Sequence, residues 1–364
     1  MINQENIESI YKKLEKGEDN LNIKDYSDLI KLITFDLRKS NDFELSKKII
    51  SKNEELLDIS KSLLLFHIIS LNKYEALNYF LKNINFNHNK IDVKGRNILH
   101  YFSVSNFENF ESFIPVKDFI ILSNKRDSYG KSPLHYAISN KNYLMVYRIL
   151  DVFSPNDKKE LNDLIVLAAK FFNFFEFSKI LTKMNEFDLN INDIVLYKDN
   201  YNKSALSECL KFRNFEVAYF LLKNGAIFYS RMDISQLLID NITNLKVLKM
   251  LLSNGINSNQ RNKNLDHPLI FLIINKFVSS ELKIKIISLF IEYGFNINIR
   301  DGLNNNLLHY CYLYKENLEV INYINSLGII DNINENNINS KDINNDKNNE
   351  FKNKYISRIN EIYN

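Results

Sequence analysis

Apolar and polar residues along this chain fall into short blocks, and the blocks recur. The stretch RDSYGKSPLHYAISNKNYLMVYRIL (Arg126 to Leu150) opens on a polar turn and then gives two apolar stretches separated by a polar break. KDNYNKSALSECLKFRNFEVAYFLLKNG (Lys198 to Gly225), IRDGLNNNLLHYCYLYKENLEVINYINSLG (Ile299 to Gly328) and VKGRNILHYFSVSNFENFESFI (Val93 to Ile114) keep the same order. Within each stretch the apolar positions lie three and four apart, the spacing of one helix face. The pattern therefore predicts two short helices per unit, each apolar on one side. Ten residues separate Asp127 from Ala137, Asp199 from Cys209 and Asp301 from Cys311. Anchored on that first-helix position, weaker copies extend the series to Leu37, Ile68, Phe102, Ala137, Ala168, Cys209, Ile239, Leu272 and Cys311. The mean step is about 34 residues, within the range of helical repeats. DFELSKKII (Asp42 to Ile50) matches NFEVAYFLL (Asn214 to Leu222), which carries the array towards the N-terminus, and VSSELK (Val278 to Lys283) lengthens one connection.

The punctuation of each unit has a physical reading. Ser132 before Pro133 marks a helix start, because the serine hydroxyl can accept from an unpaired amide and proline needs no amide partner there. His267-Pro268 repeats the proline placement. Gly95 and Gly130 suit a turn with positive φ, and Gly225, Gly255, Gly294 and Gly328 follow apolar stretches as helix-ending glycines do. Ala137, Ala168, Cys209 and Cys311 take a position where neighbouring first helices approach closely, so both cysteines read as small packed side chains. No single unit can bury its own apolar face, and stacking on neighbours supplies the cover. LIVLAAKFFNFFEFSKIL (Leu164 to Leu181) suits an interior unit; Lys170, Asn173 and Glu176 argue against membrane insertion.

These features resemble the ankyrin repeat family, with its D-x-x-G-x-T-P-L-H-x-A opening and x-V-x-x-L-L-x-x-G-A close. Asp127, Gly130, Ser132, Pro133, Leu134, His135 and Ala137 carry the opening, and Asn224-Gly225-Ala226 carries the close. The resemblance covers about Ser27 to Gly328; Asn202 and Asn304 replace the turn glycine, and the units around Ala168 and Ile239 lack the opening. It implies an all-α ankyrin-repeat α-solenoid of about eight to nine units with β-turn fingers, several units being degenerate. It further implies that His100, His135 and His309 hydrogen-bond neighbouring loop backbone. Binding would then use a concave face of finger tips and exposed first-helix positions. Carried over unit by unit, that face comprises Lys94 and Arg96; Arg126, Tyr129, Lys131 and Asn140; Lys198, Tyr201, Lys203 and Phe212; and Arg300, Leu303, Asn305 and Tyr314. Outside the array, residues 1–24 read as an N-terminal helix and cap. Residues 329–350 read as an Asn-rich disordered linker, and 351–364 as a short amphipathic helix that folds back as a cap or docks a partner.

Composition narrows the function. With 45% hydrophobic and 25% charged residues the chain is globular in character, and 8 glycines with 4 prolines disfavour an all-β fold of tight turns. Lys and Arg number 47 against 44 acidic residues, a net charge of +3, which is too balanced for a general polyanion binder. Two cysteines supply neither a disulfide framework nor a Cys-rich zinc site, and the polar start MINQENIESIYKK lacks a secretory apolar core. The abundance of Asn, Ile and Lys is what an AT-rich genome produces. No GxGxxG, GxxxxGK[ST], HExxH, GxSxG or CxxC motif occurs. The expectation is a non-enzymatic, cofactor-free and metal-free intracellular scaffold, most simply cytoplasmic and monomeric. Its partner is another protein with an acidic or mixed surface, with no small-molecule substrate and no membrane contact. Alternatives are a recruitment adaptor that uses the C-terminal segment as a docking peptide and, more remotely, nucleic-acid binding through the basic tips.

Overall fold

The structure, a computed structural model, describes residues 4–16, 26–39, 43–52, 61–83, 87, 89–105, 107, 114–188, 190–198, 203–228, 233–263, 265–330, 334, 338–342, 353 and 357. Among the described residues the regular elements are helices, and no strand occurs. They are α1 (Gln4–Glu15), α2 (Tyr26–Lys39), α3 (Glu44–Lys52), α4 (Lys61–Ser70), α5 (Tyr74–Asn83), α6 (Ile98–Val104) and α7 (Val116–Ser123). Then follow α8 (Pro133–Ser139), α9 (Tyr143–Leu150), α10 (Lys158–Phe171), α11 (Phe174–Asn185), α12 (Ile191–Leu196) and α13 (Ala205–Lys211). The series ends with α14 (Phe215–Lys223), α15 (Ile234–Asp240), α16 (Leu245–Ser253), α17 (Pro268–Ile274), α18 (Ser280–Glu292), α19 (Leu307–Leu313) and α20 (Leu318–Ser326), before a 3-10 turn at Ser340–Asp342. Every anchor residue of the sequence pattern falls on the first helix of a pair. The fold is the expected α-solenoid of helical repeats.

The chain forms two compact units, Met1–Ala205 and Leu206–Asn364. In the first, α2, α4, α6, α8 and α10 pack each against the next, and α1 packs on α2. Ile7 and Tyr11 of α1 are buried, and Tyr11 donates to Asp36 Oδ1 at 3.0 Å. In the second, α15, α17 and α19 form one row and α16, α18 and α20 another. Lys283 of α18 is buried there, donating to Ile273 O at 3.0 Å and pairing with Glu316, which follows α19.

Helix caps set which residue faces the neighbour. Phe102, Ala137, Leu272 and Cys311 each lie five residues beyond the N-caps Asn97, Ser132, His267 and Asn306, and all four are fully buried. The same count from the cap Asp233 reaches Leu238, which is fully buried, whereas Ile239 is half-exposed. The anchor of that unit is therefore Leu238, one residue before the position read from the sequence.

Asparagines join successive units. Asn124 accepts from Ser154 N at 2.6 Å and donates to Val152 O at 2.9 Å. Asn259 does the same with Asn296 N and Gly294 O, at 2.7 and 2.9 Å. Asn298 accepts from Ile330 N at 2.7 Å. Each of the three stands three residues before the residue that opens a finger. A carboxamide offers one acceptor and two donors, so it can pair with backbone as another peptide group would.

Part of the stretch read as a disordered linker is packed. Asn334 N donates to Ile338 O and Asn334 Oδ1 accepts from Ile338 N, both at 3.0 Å. That is the pattern of the fingers, with Asn334 in the role of the opening aspartate. Asn334, Ile338 and Ser340 are buried, and the 3-10 turn lies on α19. Residues 331–333, 335–337 and 343–350, and the 351–364 segment apart from 353 and 357, lie outside the described residues.

Left-handed positions generate two predictions. Gly95 and Gly130 have φ of +74° and +73°, so alanine at either costs about 1 kcal/mol. A Cβ at Gly95 would also meet Ser128 N at 3.3 Å, whereas a Cβ at Gly130 meets nothing within 4 Å. Urea unfolding should show a larger loss for Gly95→Ala than for Gly130→Ala; equal losses contradict the close approach. Leu265 holds the equivalent turn position at φ +65° and is exposed. Leu265→Gly is expected to raise stability by up to about 1 kcal/mol in the same assay.

Candidate partner-binding surface

Each well-formed finger is tied around one carboxylate. Asp92 Oδ1 accepts from the amides of Lys94 and Arg96, both at 2.8 Å; Asp127 Oδ1 accepts from those of Tyr129 and Lys131, both at 2.9 Å. Asp301 repeats this with Leu303 and Asn305 at 2.8 and 2.7 Å. The second carboxylate oxygen accepts a tyrosine hydroxyl from the helix that follows: Tyr101 at 2.8 Å, Tyr136 at 2.6 Å, and Tyr310 likewise. Burial pulls the Asp92 and Asp127 carboxyls up, but these amide and hydroxyl bonds, joined at Asp92 by Arg96, outweigh it and hold both below the usual range. Burial, and then the bond to aspartate, pushes Tyr101 and Tyr136 up to about 12. The clasp fixes the finger and leaves its tip to solvent.

The structure divides the candidate residues by what their side chains already hold. Tyr129 is 67% exposed at the tip of its finger, and Lys94 and Lys131 are exposed beside it. The arginines are engaged internally. Arg96 donates to Asp92 Oδ2 at 2.7 Å and to Tyr101 at 2.9 Å. Arg126 pairs with Glu160 at 2.7 Å and donates to Ser154 O at 3.1 Å. Arg300 donates to Asn304 O at 2.7 Å and Ile330 O at 3.2 Å, and accepts Arg261 on its carbonyl at 2.8 Å. Of the basic candidates, Arg126 and Arg300 staple successive units and Arg96 ties its own finger, while the lysines stay exposed. Asn305 is 1% exposed, bonded to Asp301 and to Asn334, and leaves the candidate set because no partner can reach it. Leu303 is half-buried, and Lys198 and Lys203 are exposed. Tyr201 lies outside the described residues. Asn140, Phe212 and Tyr314 follow the last residues of α8, α13 and α19, and for Asn140 and Tyr314 this is the far end of the helix from its finger. Seven residues of helix put them about 10 Å from the tips.

The histidines behave as the resemblance implies, with one departure. His100 Nδ1 accepts from Asn97 N at 3.1 Å, so Nε2 carries the proton and donates to Lys131 O at 3.1 Å. His309 Nε2 donates to Ile338 O at 3.2 Å, and His267 Nε2 to Ser258 O at 2.6 Å. His135 Nδ1 accepts from Ser132 N at 3.1 Å in the same way, yet among the described residues none takes its Nε2 proton. Both thiols are buried, and burial pushes them up, away from nucleophilic chemistry. Among the described residues no group of His, Cys, Asp and Glu could hold a metal ion, and no helix is long and apolar enough to cross a membrane.

Residues 64–163 match the family model for ankyrin repeats in three copies. Two proteins of Acanthamoeba polyphaga mimivirus, both described as ankyrin repeat proteins, are similar to the chain. L371 is 25% identical over 54% of this chain and 26% of its own length; L86 is 30% identical over 38% and 23%. The chain spans about a quarter of the length of these relatives. Among solved structures, the ankyrin repeat domain of human ASB11 aligns at 14% identity with a TM-score of 0.34, covering 72% of this chain and 96% of that one.

Burial lowers His135 to about 4 and His267 to about 3, so both stay neutral in the fold under mild acid. The unfolded chain takes up those protons near pH 6.5, and stability is lost from there down to the folded values. Between pH 7.5 and pH 5 each buried histidine should lower stability by about 2 kcal/mol. Denaturant midpoints across that range check this, and His135→Gln should flatten the slope.

Proposed function

We propose that this chain, which carries ankyrin repeats, is a non-catalytic scaffold that grips another protein through the finger tips of its first unit. Ankyrin repeats generally mediate protein–protein interaction. The observation that carries the finer reading is how the tip cations are used. The arginines at the finger bases are consumed by internal bonds, whereas among the described residues nothing pairs with the ammonium groups of Lys94 and Lys131. They flank Tyr129, which is exposed on a finger held rigid by the Asp127–Tyr136 clasp. An aromatic side chain of low rotamer freedom beside mobile cations is a composition that interface centres favour. Its charge selects a partner surface that is acidic or mixed, and it speeds encounter with such a surface.

Support for a scaffold also comes from what the other groups do. Among the described residues His100, His267 and His309 donate to backbone carbonyls, His135 accepts a backbone amide, and both cysteines are packed side chains. The carboxylates of Asp92, Asp127 and Asp301 close turns, which supports a structural use of these groups. An assignment to the cytoplasm and to a monomer belongs to the same proposal.

The test is a triple variant, Lys94→Glu, Tyr129→Ala and Lys131→Glu, compared with wild type in partner capture from the source cell, followed by titration of the captured protein. Affinity should fall at least tenfold while the helical circular dichroism spectrum is retained. Recovery of the same partner at unchanged affinity would remove the first unit's tips from the interface.

A further inference from the structure

Among the described residues, one finger of the first unit has no neighbouring finger on one side. Two bonds hold the finger Asp127–Lys131 onto the finger Asp92–Arg96: Ser128 N–H donates to Lys94 O at 2.8 Å, and His100 Nε2 donates to Lys131 O at 3.1 Å. The second finger presents the same two groups onward, Tyr129 O and His135 Nε2. Among the described residues neither is taken.

The reason lies in a short connection. After Asn124 captures Ser154 N, only three residues lead to the helix cap Asp157. At the equivalent place in the second unit, ten lead from Asn296 to the cap Asn306. About seven residues, the length of a finger, are missing. The glycines report the same vacancy from the backbone. A Cβ at Gly95 would meet Ser128 N at 3.3 Å and Asp127 Cα at 3.5 Å, because the next finger lies against it; at Gly130 it would meet nothing within 4 Å. Beneath the opening, Glu160 Oε1 and Arg126 Nε are buried with no hydrogen-bond partner. The ledge is bordered by Tyr129 and Lys131, both exposed.

We propose that this vacancy is a docking site for a turn-bearing loop of another protein. The loop completes the row of fingers by giving an N–H to Tyr129 O and, three residues on, a carbonyl to His135 Nε2. The recognition is of backbone, as in the addition of a strand to an open sheet edge. Lys131 beside the site favours a loop with an acidic residue at its exposed position. The proposal rests on the scaffold reading and adds where on the scaffold a partner's main chain is held.

The probe is a peptide with the finger sequence NKRDSYGES, residues 124–132 with glutamate at 131, flanked by one added cysteine at each end and cyclised through their disulfide. It would be titrated into the full chain while the His135 imidazole is followed by NMR. The Nε2–H resonance of His135 should shift and become protected from exchange on binding. A peptide N-methylated at its first serine should bind at least tenfold more weakly, because the donor to Tyr129 O is gone. A variant in which residues 299–305 are grafted between Ser154 and Pro155 should not bind, its own finger filling the place. His135→Gln serves as a second control if the graft misfolds, and should lose most of the affinity. No perturbation of His135 at millimolar peptide, or binding indifferent to N-methylation, overturns the proposal. A concentration-dependent dimer of the free chain would also overturn it, by making a second copy the occupant. Partner binding that survives the graft but is lost with the tip triple variant would sink this inference and leave the scaffold reading standing.

Discussion

No helical pair in this chain can bury its own apolar side. A helix of about seven residues has one row of buried side chains and few backbone hydrogen bonds of its own, too little to stand alone in water. Leu134, Ala137 and Ile138 of α8 are fully buried because α6 lies on one side and α10 on the other. Stability is therefore shared between neighbours, and the molecule is organised as a succession of contacts between adjacent units.

Polar groups follow the same rule. His100 satisfies a carbonyl in the next finger, Asn124 and Asn259 pair with the backbone of the next unit, and Arg126 and Arg300 reach across the junctions. Buried polar groups need partners, and in a stacked array the nearest partners are one unit away. This is why much of the positive charge at the finger bases is unavailable for binding, and why the groups that remain unsatisfied at one junction carry information about function.

The repeat, the helix pairs and the anchors were legible in sequence because stacking requires a small or apolar residue on each first helix, at Phe102, Ala137, Leu272 and Cys311 five residues beyond the cap. The exception, Ile239 in place of Leu238, arose where the opening motif is absent and the cap Asp233 could not be placed. The binding surface was read less well. Sequence shows that Arg96, Arg126 and Arg300 stand near turns, but not that Asp92, Glu160 and Ile330 O consume them. Asn305 matched a contact position by spacing, yet its carboxamide turns inward to Asp301. The Asn-rich stretch after Gly328 looked too polar to order; Asn334 orders part of it by doing what aspartate does in other fingers. The missing finger could have been found by counting the residues between the Asn124 position and the next cap.

The central claim is that stability and order pass from each unit to its immediate neighbours. Native-state hydrogen exchange on Leu134→Ala, compared with wild type, measures this directly. Faster exchange should appear in α8 and also in α6 and α10, together with the amides of Arg96 and Lys131, and should fade in α2. Acceleration confined to α8 and α9, with α6 and α10 unchanged, would contradict the account.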